Sequence, residues 1–371
     1  MEATKSTIMN IDSGTVFIIV IWILAAFIII AFIIFLTNLK NRRKVTCTRL
    51  AERPPKNLLP ITADYDRPVN FYYIKTSFSS CSLGDYVGGY VDLCILEKII
   101  SQGVRCFDFE IFNIDENAVI ATSVVNNTRI KESYNYIKFS DAFEMLATKA
   151  FNSLNCSNYT DPLFINLRMN TNTIAVFDNV ASTLSTHDNE LVEISQSYIH
   201  NDNKFFSRTP LNSLMNKIII IVNSSSTDLE NSTLKEYVSA YSGPSSSDVK
   251  QQTFGSVKAD NKEDMILYNK LKTTFVAPDI TSTPINPDPA LCLSVGAQFI
   301  GMAYQKNDSN LQTYDNFFDE YKHAFILKNA ELLPNETILN ISVPDESSNP
   351  NQCNEIKMGD VVVSGFGSGC K

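Results

Sequence analysis

The sequence predicts an α/β protein in which helices cover both faces of a mostly parallel sheet. Two runs, PLFINLRM (162–169) and KIIIIVN (217–223), are almost continuously apolar, which is typical of parallel strands buried on both sides. Helical runs separate such strands along the chain, and this alternation indicates the α/β class. A third observation, a long apolar run near the N-terminus, predicts a segment that lies outside the sheet.

That apolar run extends from Val16 to Leu36 and contains no polar side chain. At about 1.5 Å per residue it spans roughly 30 Å, the thickness of a hydrocarbon core. A signal peptide has a shorter apolar region that follows positive charge, whereas here the positive charge comes afterwards. The run therefore predicts a transmembrane helix at 16–36, preceded by a short N-terminal segment at 1–15.

The basic residues after this run predict the orientation in the membrane. They are Lys40, Arg42, Arg43 and Lys44. Positive charge stays on the cytosolic side, so the C-terminal domain is predicted to be cytosolic and the N-terminus lumenal or external. Eight cysteines in a cytosolic domain favour free thiols over disulfides, and without a CxxC pair they do not predict a zinc site.

N-glycosylation sequons offer an alternative topology with a glycosylated lumenal domain. Eight occur, at Asn126, Asn155, Asn158, Asn223, Asn231, Asn307, Asn335 and Asn340. A chain rich in Asn, Ser and Thr generates sequons by chance, and the flanking basic residues oppose a lumenal domain. We therefore favour the cytosolic orientation with unmodified sequons.

The region after the apolar run reads as a tether and then as the alternating domain. Residues 37–69 are first basic and then punctuated by proline, which predicts a semi-rigid tether. The predicted strands are 71–78, 104–112, 118–124, 162–169 and 217–223, and the predicted helices are 90–102, 139–152 and 174–186. Residues 224–262 are rich in Ser, Asn and Lys. They predict a surface linker with one short helix at 234–241.

Charge and composition restrict the partners and the source. The formal net charge is −9 and the isoelectric point is near 5.0, so we predict no nucleic-acid partner, which would require a basic face. Enrichment in Asn and Ile suggests an AT-rich genome, such as that of a protist or a large DNA virus.

The segment IKTSFSSCSLGDYVGGYVDLCILEKIISQGVRCFDFEIF (74–112) resembles the start of the catalytic X half of phosphoinositide-specific phospholipase C. The residues in register with the family pattern are Gly84, Asp85, Gly89, Gln102, Gly103, Arg105 and Cys106. Later motifs, SVGAQFIGMAYQ (294–305) and AFILKNAELL (324–333), resemble the Y half. The resemblance implies a TIM-type (β/α)8 barrel with an X-like half at 70–223, a linker at 224–262 and a Y-like half at 263–333. In the tail, 334–371, ETILNISV and KMGDVVVSGFG predict a hairpin.

The resemblance also implies a reaction that needs two histidines and a calcium ion. Phe78 stands where the family has its first catalytic histidine, and Ser79 stands where it has a calcium-binding asparagine. The second histidine position falls on Thr122 or Ser123. The proton-transfer residues of the family are therefore predicted to be lost.

The implied metal ligands are altered as well. Asp108 and Glu110 keep the two acidic positions with their residue types exchanged, and Arg168 stands where the family has a glutamate. We predict that Arg168 pairs with the two acids, that the calcium site is lost and that the chain has no cofactor. A residual weak cation site is the alternative for Asp108 and Glu110.

The positions that bind the substrate in the family also differ. At this alignment its phosphate-binding lysines and arginine correspond to Ile221, Asn223 and Phe275. The histidines of the chain are His187, His200 and His323, and all three map to the end of the barrel opposite the expected site. We predict no catalytic role for them.

These observations predict a membrane-anchored pseudoenzyme with a structural or scaffolding role, and not an active enzyme. Its partners would be the lipid bilayer and other structural proteins. A minor virion or capsid-associated protein of a large DNA virus with an inner membrane is the most specific version. Two alternatives remain open: a phosphoric diester hydrolase that acts on phosphoinositides by an altered mechanism, and a non-catalytic phosphoinositide-binding module.

Overall fold

The apolar runs of the sequence form the strands of a barrel in the computed structural model. The structure describes residues 13–125, 129–186, 206–223, 228–243, 249–334, 355–358 and 361–364. In chain order the described strands are β1 (Tyr72–Ser77), β2 (Ser82–Leu83), β3 (Tyr90–Val91), β4 (Cys106–Ile114), β5 (Asn117–Ile120), β6 (Ile137–Lys138), β7 (Leu163–Met169), β8 (Ile218–Asn223), β9 (Ala240–Gly243), β10 (Val249–Thr253), β11 (Thr273–Ala277), β12 (Phe299–Met302), β13 (Phe325–Leu327), β14 (Glu355–Met358) and β15 (Val361–Ser364). The described α-helices are α1 (Ser13–Ala51), α2 (Leu93–Ser101), α3 (Phe139–Met145), α4 (Ile174–Ser185), α5 (Phe254–Ala259), α6 (Lys262–Leu271), α7 (Pro289–Ser294) and α8 (Ser309–Tyr321).

Eight strands close into a parallel barrel. Around the barrel they follow the order β1, β4, β7, β8, β9, β10, β11 and β12, and each pairs in parallel with the next. The pairing of β12 with β1 completes the circle. The predicted TIM-type barrel is therefore confirmed. In such a barrel the C-terminal ends of the strands surround one opening, here called the mouth.

Alternate residues of the barrel strands point inward and outward, and in apolar strands such as β7 and β8 most residues of both sets are buried. In β7, Phe164 packs inside the barrel with Phe299, whereas Leu163 and Ile165 pack beneath the surrounding helices. Each fully buried apolar side chain of this size stabilises the fold by about 1.5–3 kcal/mol. Burial on both faces explains why these strands read as continuous apolar runs.

Helix α2 follows β1 and covers the outside of the barrel. Asp92 begins it, because its side chain accepts a hydrogen bond of 2.9 Å from the amide of Cys94. The apolar face of α2 is buried, and the chain then turns at Gly103, whose φ is +73°. A Cβ at Gly103 would lie 2.7 Å from a methyl carbon of Leu58, so both the backbone angle and the packing require glycine.

Helix α1 has 39 residues and is long and apolar enough to cross a membrane. The side chains in its most apolar stretch are exposed. Its C-terminal end packs against the barrel, where Leu50 is buried in the core around α2.

The prediction of a semi-rigid tether at 37–69 is wrong. Its first part continues α1, and its second part lies on the end of the barrel opposite the mouth, with Leu58 and Ile61 buried. The amide of Lys56 donates a hydrogen bond of 2.9 Å to the carbonyl of Ser101. Prolines stop helix formation here, but the apolar residues between them bind the segment to the barrel.

The predicted linker at 224–262 is also wrong, because it supplies the barrel strands β9 and β10. These strands are short and polar. The side chain of Asn223 on β8 donates a hydrogen bond of 2.7 Å to the side chain of Gln251 on β10. Strands are recognised in a sequence by their apolar runs, and strands that line a polar region lack such a run. For this reason the composition of 224–262 indicated a linker. The helix predicted at 234–241 is a 3-10 turn, Thr233–Glu236.

The predicted strand at 118–124 exists in part as β5, but it lies outside the barrel. It pairs with β4 in antiparallel orientation through a tight turn at Asp115 and Glu116, which have φ values of +49° and +63°. The side chain of Asn113 accepts a hydrogen bond of 2.9 Å from the amide of Glu116 and supports the turn.

The expectation of free thiols is wrong for one pair of cysteines. Cys47 on α1 and Cys94 on α2 form a disulfide with a Cα–Cα distance of 5.8 Å. Treating 37–69 as a tether hid this pair, because only the continuation of α1 places Cys47 beside α2. The cysteines described as free, Cys81, Cys106, Cys156 and Cys292, are buried. Cys353 and Cys370 lie outside the described residues.

The C-terminal tail forms a separate unit from Pro334 onward. Its described residues contain an antiparallel hairpin of β14 and β15. The hairpin uses residues 355–364 for both strands. The first strand that the sequence predicted for it, ETILNISV, lies outside the described residues.

Candidate functional site at the barrel mouth

The strands β4 and β7 place three charged residues side by side at the mouth. Their parallel register pairs Asp108 with Asn166 and Glu110 with Arg168. Because these positions are two residues apart on neighbouring strands, all four side chains point to the same face, the inside of the barrel.

Arg168 pairs with Asp108 through two of its nitrogen atoms. Its Nε lies 3.1 Å from each carboxylate oxygen of Asp108, and one terminal nitrogen lies 3.0 Å from Oδ2. Asp108 is fully buried and also accepts hydrogen bonds from the side chain of Asn166 (2.7 Å) and the amide of Ser79 (3.0 Å). A carboxylate offers about four acceptor sites, so these contacts leave Asp108 without a free acceptor site.

Glu110 is the second acid at Arg168, at a longer distance. The other terminal nitrogen of Arg168 lies 3.5 Å from Oε2 of Glu110. The amide of Ser123 donates to Oε2 at 3.2 Å, and the side chain of Asn170 donates to Oε1 at 3.2 Å. Burial raises the pKa of Glu110 to about 6, although Arg168 and the two hydrogen bonds act in the opposite direction.

Arg168 itself remains a cation. Burial opposes its charge, but Asp108 and Glu110 outweigh that effect and raise the pKa of the guanidinium above its usual value. The three residues that the sequence grouped therefore lie together, with the cation between the two acids.

The end of β1 covers this cluster. The ring of Phe78 stacks against Arg168, with 4.4 Å from the guanidinium carbon to the ring centroid. Ser79 follows with a φ of +43°, a left-handed conformation that costs roughly 1 kcal/mol outside glycine. Its amide donates to Asp108 and its hydroxyl accepts a hydrogen bond of 2.9 Å from Arg168, and both contacts hold this conformation.

Thr122 and Ser123, the two candidates for the second histidine position, have their hydroxyl groups engaged. Thr122 is buried and donates to the carbonyl of Tyr86 at 2.7 Å. Ser123 donates to Oε2 of Glu132 at 2.9 Å. Both residues lie near Glu110, in the segment that leads away from β5.

The positions that correspond to substrate-binding residues are apolar or engaged with another strand. Ile221 and Phe275 are fully buried inside the barrel, where the Phe275 ring stacks on Phe299. The side chain of Asn223 donates to Gln251 at 2.7 Å. None of these three described side chains presents a cation to the mouth.

His323, the histidine that falls in the described part of the chain, lies away from the mouth. Its Nδ1 is 3.0 Å from the carbonyl of Leu59, and its ring lies beside Tyr65 at the N-terminal end of β1. His187 and His200 lie outside the described residues.

Asn166 and Ser242 belong to the site and were missed by the sequence reading. The amide group of Asn166 links Asp108 to the hydroxyl of Ser242, which donates to it at 3.1 Å. The signal for Asn166 was available, because it lies two residues before Arg168 on the same strand and so on the same face. Ser242 lies in the segment assigned to the linker and gave no such signal.

A closed parallel barrel with a buried polar cluster at the C-terminal ends of its strands defines the class of TIM-type barrel proteins with a mouth site. Residues 65–224 match the family described as phosphatidylinositol-specific phospholipase C, X domain. The resemblance inferred from 74–112 is thus confirmed.

Solved structures give the same result for the fold. The crystal structure of PLC21 from L. pealei superimposes with a TM-score of 0.59 at 15% identity, covering 74% of this chain and 39% of that one. PLC21 from S. officinalis gives 0.58 at 17% identity, covering 74% and 38%. The chain thus spans well under half the length of these two structures. No curated protein matches the chain.

Proposed function

We propose that this protein is a membrane-anchored, phospholipase C-like pseudoenzyme with a structural role. The observation that carries this proposal is the position of Arg168, whose guanidinium lies between Asp108 and Glu110 and pairs with both. A permanent cation thus stands where the related enzymes are expected to hold calcium.

The side chains at the mouth do not fit a calcium ion. Calcium takes about six to eight oxygen ligands. Asp108 already accepts hydrogen bonds from Arg168, Asn166 and Ser79, and Glu110 faces the same guanidinium. An ion placed between the acids would meet a positive charge instead of a third carboxylate, so we propose that the calcium site is lost and that no cofactor replaces it.

Among the described residues at the mouth, we find no group suited to proton transfer. Phe78 has no titratable atom, and the hydroxyl groups of Thr122 and Ser123 are committed to Tyr86 and Glu132. A general base must hold its pKa near the working pH and reach the substrate hydroxyl. Glu110 has a pKa near 6, but it is buried beside Arg168 and forms part of the ion-pair cluster.

The proposal of a structural role is supported by a well-packed barrel on a long apolar helix. We propose that α1 anchors the chain in a bilayer and that the barrel binds other structural proteins. In the most specific version, the protein is a minor virion component that lies between an inner membrane and a capsid. Detection of the chain in purified particles would support that location, and its absence from them would refute it.

The test of the pseudoenzyme proposal is an assay of the full chain in lipid nanodiscs that contain phosphatidylinositol 4,5-bisphosphate. We expect no release of inositol phosphate, with or without calcium, while an active phospholipase C in the same nanodiscs serves as the positive control. Release that disappears in an Asp108→Asn variant would refute the proposal and establish an altered hydrolase. Lipid co-sedimentation that depends on the bisphosphate headgroup, without turnover, would favour the binding module.

A further inference from the structure

We infer that the barrel is held with its mouth toward the bilayer that α1 enters, so that the rim of the mouth contacts the lipid surface. This inference rests on the proposed anchoring by α1. It adds which face of the barrel meets the lipid and what holds it there.

Helix α1 runs parallel to α2, and this direction determines which end of the barrel faces the membrane. Helix α2 follows the mouth end of β1 and runs back toward the opposite end of the barrel, beginning after Asp92 and ending at Ser101. Contacts with α1 and its continuation follow in the same order. Arg43 pairs with Asp92, Cys47 bonds to Cys94, and Lys56 hydrogen-bonds to Ser101. The two segments are therefore parallel, and the part of α1 that precedes Arg43 projects beyond the mouth.

Helix α1 is held in this direction by several contacts with the barrel. Helix α1 is continuous from Ser13 to Ala51, so the apolar segment and the docked segment are one rod. The disulfide, the Arg43–Asp92 ion pair and the buried side chain of Leu50 hold the rod against the barrel. We call these three contacts the α1 clamp. Rotation of the barrel about the rod would break all of them.

The apolar run of α1 ends close to the mouth. Arg43, which lies beside the start of α2, is seven positions after Leu36, the end of the apolar run. At 1.5 Å per residue this is about 10 Å along a helix. The headgroup layer on one side of a bilayer is about 5–8 Å thick. The mouth therefore lies at the headgroup surface and not at the end of a long spacer.

The rim of the mouth has the chemistry of a membrane interface. Several loops that follow the strand ends expose apolar or aromatic side chains, namely Val87 (38% exposed), Ile130 (66%), Tyr134 (51%), Ile280 (45%) and Ile285 (58%). Two backbone hydrogen bonds tie these loops together, from Gly88 to Glu132 at 3.0 Å and from Tyr86 to Ser282 at 2.8 Å. Exposed aliphatic groups with a tyrosine among them suit the boundary between headgroups and acyl chains. Because these exposed rim side chains are uncharged, we assign the rim to a neutral lipid surface.

Site-specific fluorescence quenching tests this orientation in the full chain. The background variant carries Cys353→Ser and Cys370→Ser, which leaves the clamp disulfide and the buried thiols of Cys81, Cys106, Cys156 and Cys292. Single dyes are attached at Val87→Cys or Ile285→Cys on the rim and at Leu154→Cys, which is 92% exposed on the opposite end, and the unlabelled background controls for native thiols. In phosphatidylcholine nanodiscs with a headgroup-attached quencher, we expect at least threefold stronger quenching at the rim positions than at Leu154→Cys. Equal or stronger quenching at Leu154→Cys would overturn the inference.

The clamp is tested in the same system. Cys47→Ser combined with Asp92→Asn removes the disulfide and the ion pair, and we expect rim quenching to fall toward the level at Leu154→Cys. The matched control is Cys292→Ala, which removes a cysteine outside the clamp and should leave rim quenching unchanged. Full rim quenching in the clamp variant would show that the clamp does not set the orientation.

Failure of the orientation can be told apart from failure of the anchoring. If alkaline carbonate extracts the chain from membranes, α1 does not anchor it, and both proposals are refuted. If the chain resists extraction but the dye at Leu154→Cys is the one quenched, the anchoring stands and the orientation alone is wrong.

Discussion

Arg168 binds Asp108 along one edge of its guanidinium, with Nε 3.1 Å from both carboxylate oxygens and a terminal nitrogen 3.0 Å from one of them. This leaves the other terminal nitrogen for Glu110 at 3.5 Å. A planar fork can bridge two acids in this way, whereas a lysine would offer a single point charge. The cluster is therefore specific to arginine at this position.

Removing this cation should destabilise the fold. In Arg168→Ala, Asp108 and Glu110 would remain as two buried acids without a counter-charge. We expect a loss of about 3–5 kcal/mol in the free energy of unfolding if the site stays dry, and less if water enters. Urea denaturation measures it, with the exposed Arg129→Ala at the same end of the barrel as control. A loss no larger than that of the control would contradict the pairing.

The loss should depend on pH in a defined direction. Burial raises the pKa of Glu110 from its usual 4.5 to about 6, so its ionisation costs stability, and this cost is absent below pH 4.5 and appears as the pH rises through 6. Without Arg168 the cost increases. Arg168→Ala should therefore be most destabilising above pH 6 and approach the native protein near pH 4.5. A loss that is constant over this range would show that the acids are not its cause.

Calcium should distinguish the native protein from the same variant. Because Arg168 occupies the space between the acids, calcium is expected to leave the native melting temperature unchanged. In Arg168→Ala the two carboxylates become available, and millimolar calcium should recover part of the lost stability. Differential scanning fluorimetry with magnesium as the control cation measures both. A rise in the native melting temperature with calcium alone would refute the replacement of the metal by Arg168.

Restoring the first histidine position should not restore hydrolysis. Phe78→His with Ser79→Asn reintroduces a proton acceptor and an amide ligand, but Arg168 still excludes a metal and Thr122 still donates to Tyr86. We expect no calcium-dependent release of inositol phosphate from the double variant. Circular dichroism should first show that it folds. Measurable turnover would mean that the family positions have been assigned to the wrong residues.

The sequence predicted the site better than it predicted the segments around the barrel. Asp108, Glu110 and Arg168 could be grouped because the resemblance places them at the metal-ligand positions of the family. The strand that contains Gln251 was not recognised, because a polar strand at a polar mouth resembles a linker. The position of Cys47 could not be foreseen, because it depends on a helix that continues beyond the apolar run and packs on α2.

The disulfide gives a separate prediction about thiols and stability. The bond between Cys47 and Cys94 closes a loop with a sequence separation of 47 residues. Disulfides of native proteins contribute about 2–4 kcal/mol, so Cys47→Ser should lower the free energy of unfolding by that amount. Alkylation of the denatured chain without reductant should leave Cys47 and Cys94 unmodified in mass spectrometry. Alkylation at both would contradict the bond.

The basic residues after the apolar run determine the expected orientation across the membrane. Lys40, Arg42, Arg43 and Lys44 follow the apolar run, and positive charge is retained on the cytosolic side. The basic residues therefore predict that protease added to the cytosolic face of sealed membranes digests the barrel. The Cys47–Cys94 disulfide is instead typical of an oxidising compartment, so this digestion decides between the two locations.

Glycosylation provides the independent readout for this orientation. The sequon residues Asn231 and Asn307 are exposed and could accept a glycan in a lumenal domain, whereas Asn158 is fully buried and could not. On the cytosolic side both exposed residues should stay unmodified, so deglycosylation should not change the mobility of the chain. Protection from protease together with a mobility shift that Asn231→Gln and Asn307→Gln abolish would refute the cytosolic orientation. It would place the barrel in an oxidising compartment, where the Cys47–Cys94 disulfide is stable.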